Sequence, residues 1–448
     1  MKKINIYTAI CLLLLINVLY AQKVLTLEES KQLALQNNVK IKNSSLEIQA
    51  SEQVKKAAFT NFFPNVSFGG LMFKAEKNMM EIQTQGGNLP VYDGNPANLG
   101  SATQFAYFPS STMGLMKSGT FGYLNIVQPI FAGGRIVNGN RLASLGEDVS
   151  DLQNKLAINE TNLKTEEQYR FIVSLKEKHK TILKYEEMLN SLLKQVEDAF
   201  KSGLIMKNDL LKVKLKFSEV LLNKSKLENG IKLASMAFCQ HIGIPYDSLI
   251  IYTDNPAINE ISQSYYADPS ESLKKRYEYG LLEKSVEAEK LQTKMKLGEY
   301  LPSAAIGLTG LYMKMDDSKD RTIGMIFGTV SIPISDWWGG SHTLQERKVK
   351  EEIAENNFKD NLELIILQIN KAWNDFTDAY KQYLLSEEAK AQAEENLKVN
   401  EDSYKNGLIS VSDLLTAQAL MQQSQDQAAE AKANYLVKKT TYLQATGR

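Results

Sequence analysis

The chain has 448 residues, of which 52 are basic and 52 acidic, with 26 Gly and 10 Pro. That balance describes an ordered chain and argues against a nucleic-acid or other polyanion partner. Cys11 and Cys239 are its only cysteines, and Cys11 falls in a cleaved leader, so the mature chain has no intramolecular disulfide.

Residues 1–21 run from Lys2 and Lys3 through an apolar stretch, Ala9 to Tyr20, to Ala21-Gln22. This is the pattern of a secretory signal peptide with a small residue at the cut. Cys11 lacks small residues before it, so a lipid-modified N-terminus is not expected. Beyond the leader no stretch approaches the roughly 20 apolar residues of a membrane-spanning helix. A mature chain that crosses a membrane must therefore cross it as strands.

Two strands are expected next, Val66 to Phe73 and Thr120 to Gln128, followed by a helix from about Val137 to Lys201 with Ile182, Tyr185, Leu189, Leu192 and Val196 on one stripe. A linker spans 244–269. Strands then recur at Ala304 to Met313 and Thr322 to Ile332. Between Gly340 and Asn406 there is neither Gly nor Pro, and Leu362, Ile366, Ile369, Trp373, Phe376, Tyr380 and Tyr383 step by three and four. This is the period of a long coiled-coil helix.

The chain repeats itself. Leu193, Lys194, Glu197, Asp198, Lys201, Gly203, Leu204, Ile205, Asp209, Leu210 and Leu211 recur 204 residues later as Leu397, Lys398, Glu401, Asp402, Lys405, Gly407, Leu408, Ile409, Asp413, Leu414 and Leu415, with Phe200 matched by Tyr404. Phe62-Phe63-Pro64 corresponds to Tyr300-Leu301-Pro302. Pro129 with Gly133 and Gly134 corresponds to Pro333 with Gly339 and Gly340. Three signals in one order indicate a duplicated unit of helix, strand, loop, strand and long helical hairpin. The units occupy 22–243 and 270–448.

The helices alone fit a periplasmic coiled-coil rod with no pore equally well. The strands favour another reading, because they are about ten residues long and rich in Gly, aromatic and β-branched residues, as outer-membrane strands are. Phe62, Phe63, Phe121, Tyr123, Tyr300, Tyr312, Trp337 and Trp338 lie at strand ends, where an aromatic girdle meets the membrane interface, although ordinary core packing also accounts for such residues. Four strands cannot close a barrel, so several chains must pool them; three chains give about twelve. The first inter-strand loop, Lys74 to Gly119, is rich in Gly, Asn, Ser and Pro and is expected to be an extracellular loop of variable conformation, whereas its counterpart spans only Lys314 to Arg321.

Motifs for catalysis are missing. His179, His241 and His342 are far apart and fit no metal or nucleophile spacing, so no enzyme, metal or cofactor is expected. Gly133-Gly134 and Gly339-Gly340 lack the lysine of a phosphate loop and read as structural glycines. Met72, Met79, Met80, Met113 and Met116 cluster in or beside the long loop; they read as filler before soft-metal ligands.

The segment Leu25 to Asn38 resembles the opening helix of TolC-like outer membrane efflux proteins. Gln128 to Arg135 resembles their strand-to-helix junction, and the two Gly-Leu-Ile turns followed by Asp-Leu-Leu resemble their periplasmic hairpin tips. The resemblance implies a mostly α fold with a small β part: a homotrimer whose strands form a twelve-stranded barrel in outer membrane lipid, continued by a coiled-coil α-barrel across the periplasm of a Gram-negative bacterium. It also implies a passive exit duct, loaded through a periplasmic adaptor by a proton-driven or ATP-driven inner-membrane transporter. Gly203, Leu204, Ile205, Gly407, Leu408 and Ile409 are then tip residues, with the four apolar ones offering an adaptor contact or packing between neighbouring hairpins. Tyr404 and Asp413 match the family's closed entrance, whereas Ile409 and Thr416 stand where an arginine and a second aspartate are expected. Three copies of Asp413 would form an acidic ring, or Asp413 caps its helix; for Asp209 capping is the preferred reading.

Overall fold

Thr26 opens the first helix with a reciprocal cap: its hydroxyl accepts from the Glu29 amide, and the Glu29 carboxylate accepts from the Thr26 amide at 2.9 Å. This box satisfies two of the amides that every helix start leaves unpaired. The computed structural model describes residues 24–448 apart from 93, 102–103, 254–255, 257, 259–264 and 316–318. The expected signal peptide lies outside the described residues.

In chain order the first repeat holds β1 (Val24–Leu25), α1 (Leu27–Asn37), α2 (Val39–Phe59), β2 (Asn65–Lys74), β3 (Met80–Thr84), β4 (Gly87–Pro90), β5 (Phe105–Phe108), β6 (Ser111–Leu115), β7 (Ser118–Ala132), α3 (Arg135–Lys201) and α4 (Lys207–Ile242). After β8 (Ile251–Tyr252) come α5 (Pro269–Leu273), α6 (Tyr277–Glu299), β9 (Ser303–Met315), β10 (Arg321–Ser331), α7 (Trp337–Lys405) and α8 (Val411–Ala445). The two long helices, 67 and 69 residues, each extend roughly 100 Å at 1.5 Å per residue. The long loop of the first repeat is not irregular, since it contains the paired strands β3–β6 and β4–β5.

The chain forms two compact units that cut across the repeats. One is helical and contains 24–52, 145–287 and 352–448. Its cores are apolar layers between helices: Phe376, fully buried, stacks on Tyr435 and Tyr442, and Tyr169 packs with Phe238 while its hydroxyl donates to the Leu25 carbonyl at 2.9 Å.

The other unit, 53–144 and 288–351, is built on one antiparallel sheet in the order β2-β7-β9-β10. Residues opposite each other share a face, so the register sorts the side chains. Val66, Phe68, Met72, Leu124, Ile126, Leu308 and Ile326 fall on one face, and Phe68, Met72 and Ile326 are 80% exposed or more. Asn65, Ser67, Asn125, Thr309 and Thr329 fall on the other, where Thr309 donates to Asn125 across the β7–β9 pair at 2.8 Å. Phe121 and Tyr123 also lie on this second face. Tyr123 folds over Gly69 and Phe327 over Gly307, each filling the space a side chain at the glycine would need. The parity of β7 thus puts Phe121 and Tyr123 on the face of Asn125 and Thr309, opposite Phe68 and Ile326. At the helix-bearing end of the sheet, Phe59 packs on Phe62 and Phe63, and Trp337 donates to the Tyr300 carbonyl at 2.8 Å.

Pro64 and Pro302 sit where a helix gives way to a strand, positions that call for no amide donor. Pro129 coincides with a bulge in β7, and Pro333 precedes a single 3-10 turn. The two glycine pairs are not equivalent. Gly133 and Gly134 adopt φ of +63° and +77°, and a Cβ on Gly133 would come within 2.1 Å of the Gly298 carbonyl oxygen. Gly339 and Gly340 lie inside the first turn of α7. Gly133→Ala is therefore expected to lower stability by upwards of about 1 kcal/mol, whereas Gly339→Ala, whose Cβ meets open space, raises it by up to about 1 kcal/mol. Thermal unfolding of the detergent-extracted variants should show shifts of opposite sign.

Candidate functional site at the hairpin tips

Both long helices end by the same local chemistry. Gly203 and Gly407 hold φ of +73° and +70°. The Leu204 amide donates to the Ala199 carbonyl at 2.9 Å and the Gly203 amide to Phe200 at 3.0 Å; Leu408 to Ser403 and Gly407 to Tyr404 repeat both distances. This double closure needs a left-handed residue, which glycine adopts without a Cβ penalty.

The returning helices start differently. Ser410 caps α8: its hydroxyl accepts from the Asp413 amide at 3.3 Å, and the Asp413 carboxylate accepts from the Ser410 amide at 3.1 Å and its hydroxyl at 2.7 Å. Asp413 is thus the acidic half of a capping box, solvent-exposed, with its pKa lowered by the Ser410 side chain, then by the Ser410 backbone, with Lys212 adding to the effect. In the first repeat the corresponding cap position is Met206, which has no side-chain acceptor. Asp209 therefore does not close a box, contrary to expectation. It sits 3.5 Å from Lys212 and its charge bears on Tyr404, whose hydroxyl is pushed up mainly by burial and secondly by Asp209.

One apolar core joins the four helices at this end. Ile182, Tyr185, Leu189, Leu192 and Val196 of α3 meet Val213 and Val220 of α4 and Val411 and Leu414 of α8, with Leu397 and Tyr404 of α7 against them. Ile205 and Ile409 are half-buried on that core, which separates them from Leu204 and Leu408, 78% and 76% exposed. Of the four apolar tip residues, only the leucines are free surface in the chain. Met206, equally exposed at 76%, is a third exposed apolar residue of the turns; sequence reasoning passed over it because its counterpart is the polar Ser410. Ile409 fills the arginine position of the family latch with apolar packing, and the exposed Thr416 hydroxyl merely donates to the Ser412 carbonyl at 2.8 Å.

A second acid in the same unit escaped the sequence reading because no motif marks it. Asp426 of α8 has a buried oxygen with no hydrogen-bond partner, and burial pushes its pKa up to about 6 against the opposing pull of Lys178, with Glu430 adding to the rise. Lys178 and Glu430 are themselves ion-paired. Among the described residues no group of three or more His, Cys, Asp or Glu is placed to hold a metal ion. His241 is a packed histidine, bridging Thr165 at 3.1 Å and Asn38 at 3.4 Å, with its pKa lowered chiefly by burial.

Residues 302–448, which cover β9, β10, α7 and α8, match the model of the outer membrane efflux protein family. The family is one of transport conduits and not of enzymes. No curated relative matches the chain in sequence. Three solved structures share its fold. The outer membrane protein VceC of Vibrio cholerae is 14% identical, with a TM-score of 0.72 over 94% of this chain and 96% of that one. The Campylobacter jejuni CmeC outer membrane channel is 16% identical, TM-score 0.74, over 94% and 85%. The open-state MtrE outer membrane channel of Neisseria gonorrhoeae is 13% identical, TM-score 0.71, over 94% and 88%. At these identities the likeness establishes the fold, and it extends through both repeats. The fold is the one these outer membrane channels share, and the stretch that matches the efflux protein family lies within it. Among the described residues no helix is long and apolar enough to cross a membrane.

Because the folded-state pKa of Asp426 lies above its ordinary 3.8, ionisation burdens the folded state: the burden is absent below about pH 4, grows as the pH rises through 6, and persists above. Asp426→Asn is expected to unfold at a higher temperature than wild type at pH 8, with the gap closing at pH 4 in paired melting curves.

Proposed function

We propose that three copies of this chain form a passive exit duct in the outer membrane of a Gram-negative bacterium, with the helical hairpins reaching into the periplasm. The observation that carries this is the four-stranded sheet, whose face of Val66, Phe68, Met72, Ile326 and Val330 is apolar and exposed and whose two edges are free. β2 and β10 each pair on one side only, and unpaired backbone groups are not tolerated in hydrocarbon. Pairing β10 of one copy with β2 of the next continues the antiparallel alternation without a break. Three copies then close about twelve strands, within the range of known barrels.

The tips form the entrance. Leu204, Met206 and Leu408 offer a small apolar surface to the adaptor that couples the duct to an inner-membrane transporter, proton-driven or ATP-driven, which supplies the energy. Three copies of Asp413 place an acidic ring near that entrance and favour cations there; the same carboxylate serves its own helix as a cap, so the two roles coexist. Asp209 faces Tyr404 and Lys212 at the same end, while Ile409 and Thr416 replace the charged latch with apolar and neutral side chains.

Extraction from outer membranes in mild detergent should yield a trimer by mass that conducts in planar bilayers with cation preference. Asp413→Ala is expected to reduce that preference; unchanged selectivity removes Asp413 from the entrance, and a non-conducting monomer overturns the duct. Leu204→Asp with Leu408→Asp should leave the trimer and its conductance intact while abolishing export in cells, read as restored sensitivity to a transported compound.

A further inference from the structure

Between β2 and β7 the first repeat sends out a β arm that the second repeat lacks. β3 pairs with β6 and β4 with β5; the Ala75 amide donates to the Lys117 carbonyl at 2.8 Å at the base, and Val91 to Gln104 at 3.0 Å near the tip. The register of β3 and β6 puts Met80, Ile82, Met113 and Leu115 on one face and Glu81, Gln83 and Thr112 on the other. Such alternation belongs to a strand pair with one covered face. Yet Met80, Ile82 and Met113 are 54%, 50% and 61% exposed in the single chain. A two-stranded hairpin with nothing behind it is marginal in water, so this face is built to meet something.

Charge and connectivity select the occupant. From Met79 to Met116 only Glu81 and Asp93 are charged, and there is no Lys or Arg. An anionic lipid surface is met by clustered cations; the paired strands β3–β6 and β4–β5 carry none, and Lys77 and Lys117 stand only at the base of the arm. Its low charge lets identical arms approach one another with little repulsion. The arm also prolongs β2, the edge strand through which the next copy pairs in the proposed duct, and so it rises beside the seam between copies.

We propose that the Met80–Ile82–Met113 face docks on the arms of neighbouring copies, so that the arms cap the outer end of the barrel as a homotypic apolar cluster. This rests on the trimeric duct reading. The cap is an interaction surface confined to the first repeat, and it gives the long loop a packing role that its short counterpart does not share.

The test uses full-length protein in intact outer membranes carrying Ile82→Cys or, on the opposite face of the same strand, Gln83→Cys. Wild type serves as the blank, because Cys239 is buried. A short bis-maleimide is expected to convert Ile82→Cys into linked dimers on a denaturing gel and to leave Gln83→Cys monomeric, and a bulky water-soluble maleimide should label only Gln83→Cys. Trimers of normal mass in which Ile82→Cys gives no linked dimer and takes the bulky reagent as freely as Gln83→Cys overturn the cap. Labelling of Ile82→Cys by a lipid-phase reagent overturns it in favour of a membrane-embedded arm. Loss of the trimer by mass in wild type instead removes the duct reading, and the cap with it.

Discussion

A backbone amide or carbonyl left unpaired in hydrocarbon costs several kcal/mol, and this sheet leaves two full rows of them. β2 and β10 are nearly equal in length, 10 and 11 residues, and run in opposite directions at opposite edges of the sheet. The strands also carry the outward apolar face from Val66 to Val330 that only a hydrocarbon environment rewards. In the proposed duct, the demand that those edges be paired is what makes the sheet part of a larger barrel.

Duplication supplies the helices, and divergence tunes them. The two tips share the glycine closure to within 0.1 Å in every corresponding hydrogen bond, because the geometry of leaving an α-helix through a left-handed residue has few solutions. Restarting the helix is less constrained. Ser410 and Asp413 build a reciprocal cap, while Met206 leaves the first-repeat restart without one. The freed Asp209 turns to Lys212 and Tyr404, and the uncapped position becomes an exposed apolar residue. One repeat thus contributes a rigid acidic start, the other a softer apolar surface.

The glycine pairs show the same divergence at the sheet. Gly133 and Gly134 are needed for positive φ and for the close passage of Gly298, whereas Gly339 and Gly340 are ordinary first-turn helical residues against which Tyr300 rests. Equal spelling in two repeats marks common ancestry, not common conformation. The same limit applies to Phe121 and Tyr123: their place near a strand end was legible, but which side they faced depended on register, and a single residue of parity reverses it.

By itself the sequence determined what local chemistry determines: helix periods, the places of the four strands, the glycine closures at 203 and 407, Asp413 as a helix cap and the duplication. All of these depend on residues close in the chain. Only the tertiary structure decided which apolar tip residues are surface. Ile205 and Ile409 are sheltered by a core that gathers residues from all four long helices of both repeats, and Leu204 and Leu408, one position earlier, are not. It also decided that the long loop is an ordered amphipathic arm, since strand pairing between Met80 and Leu115 is a contact that no local period encodes. Asp426 acquires its raised pKa in the same way, from burial among helices packed across the chain, a desolvation that exists only once the distant segments have met.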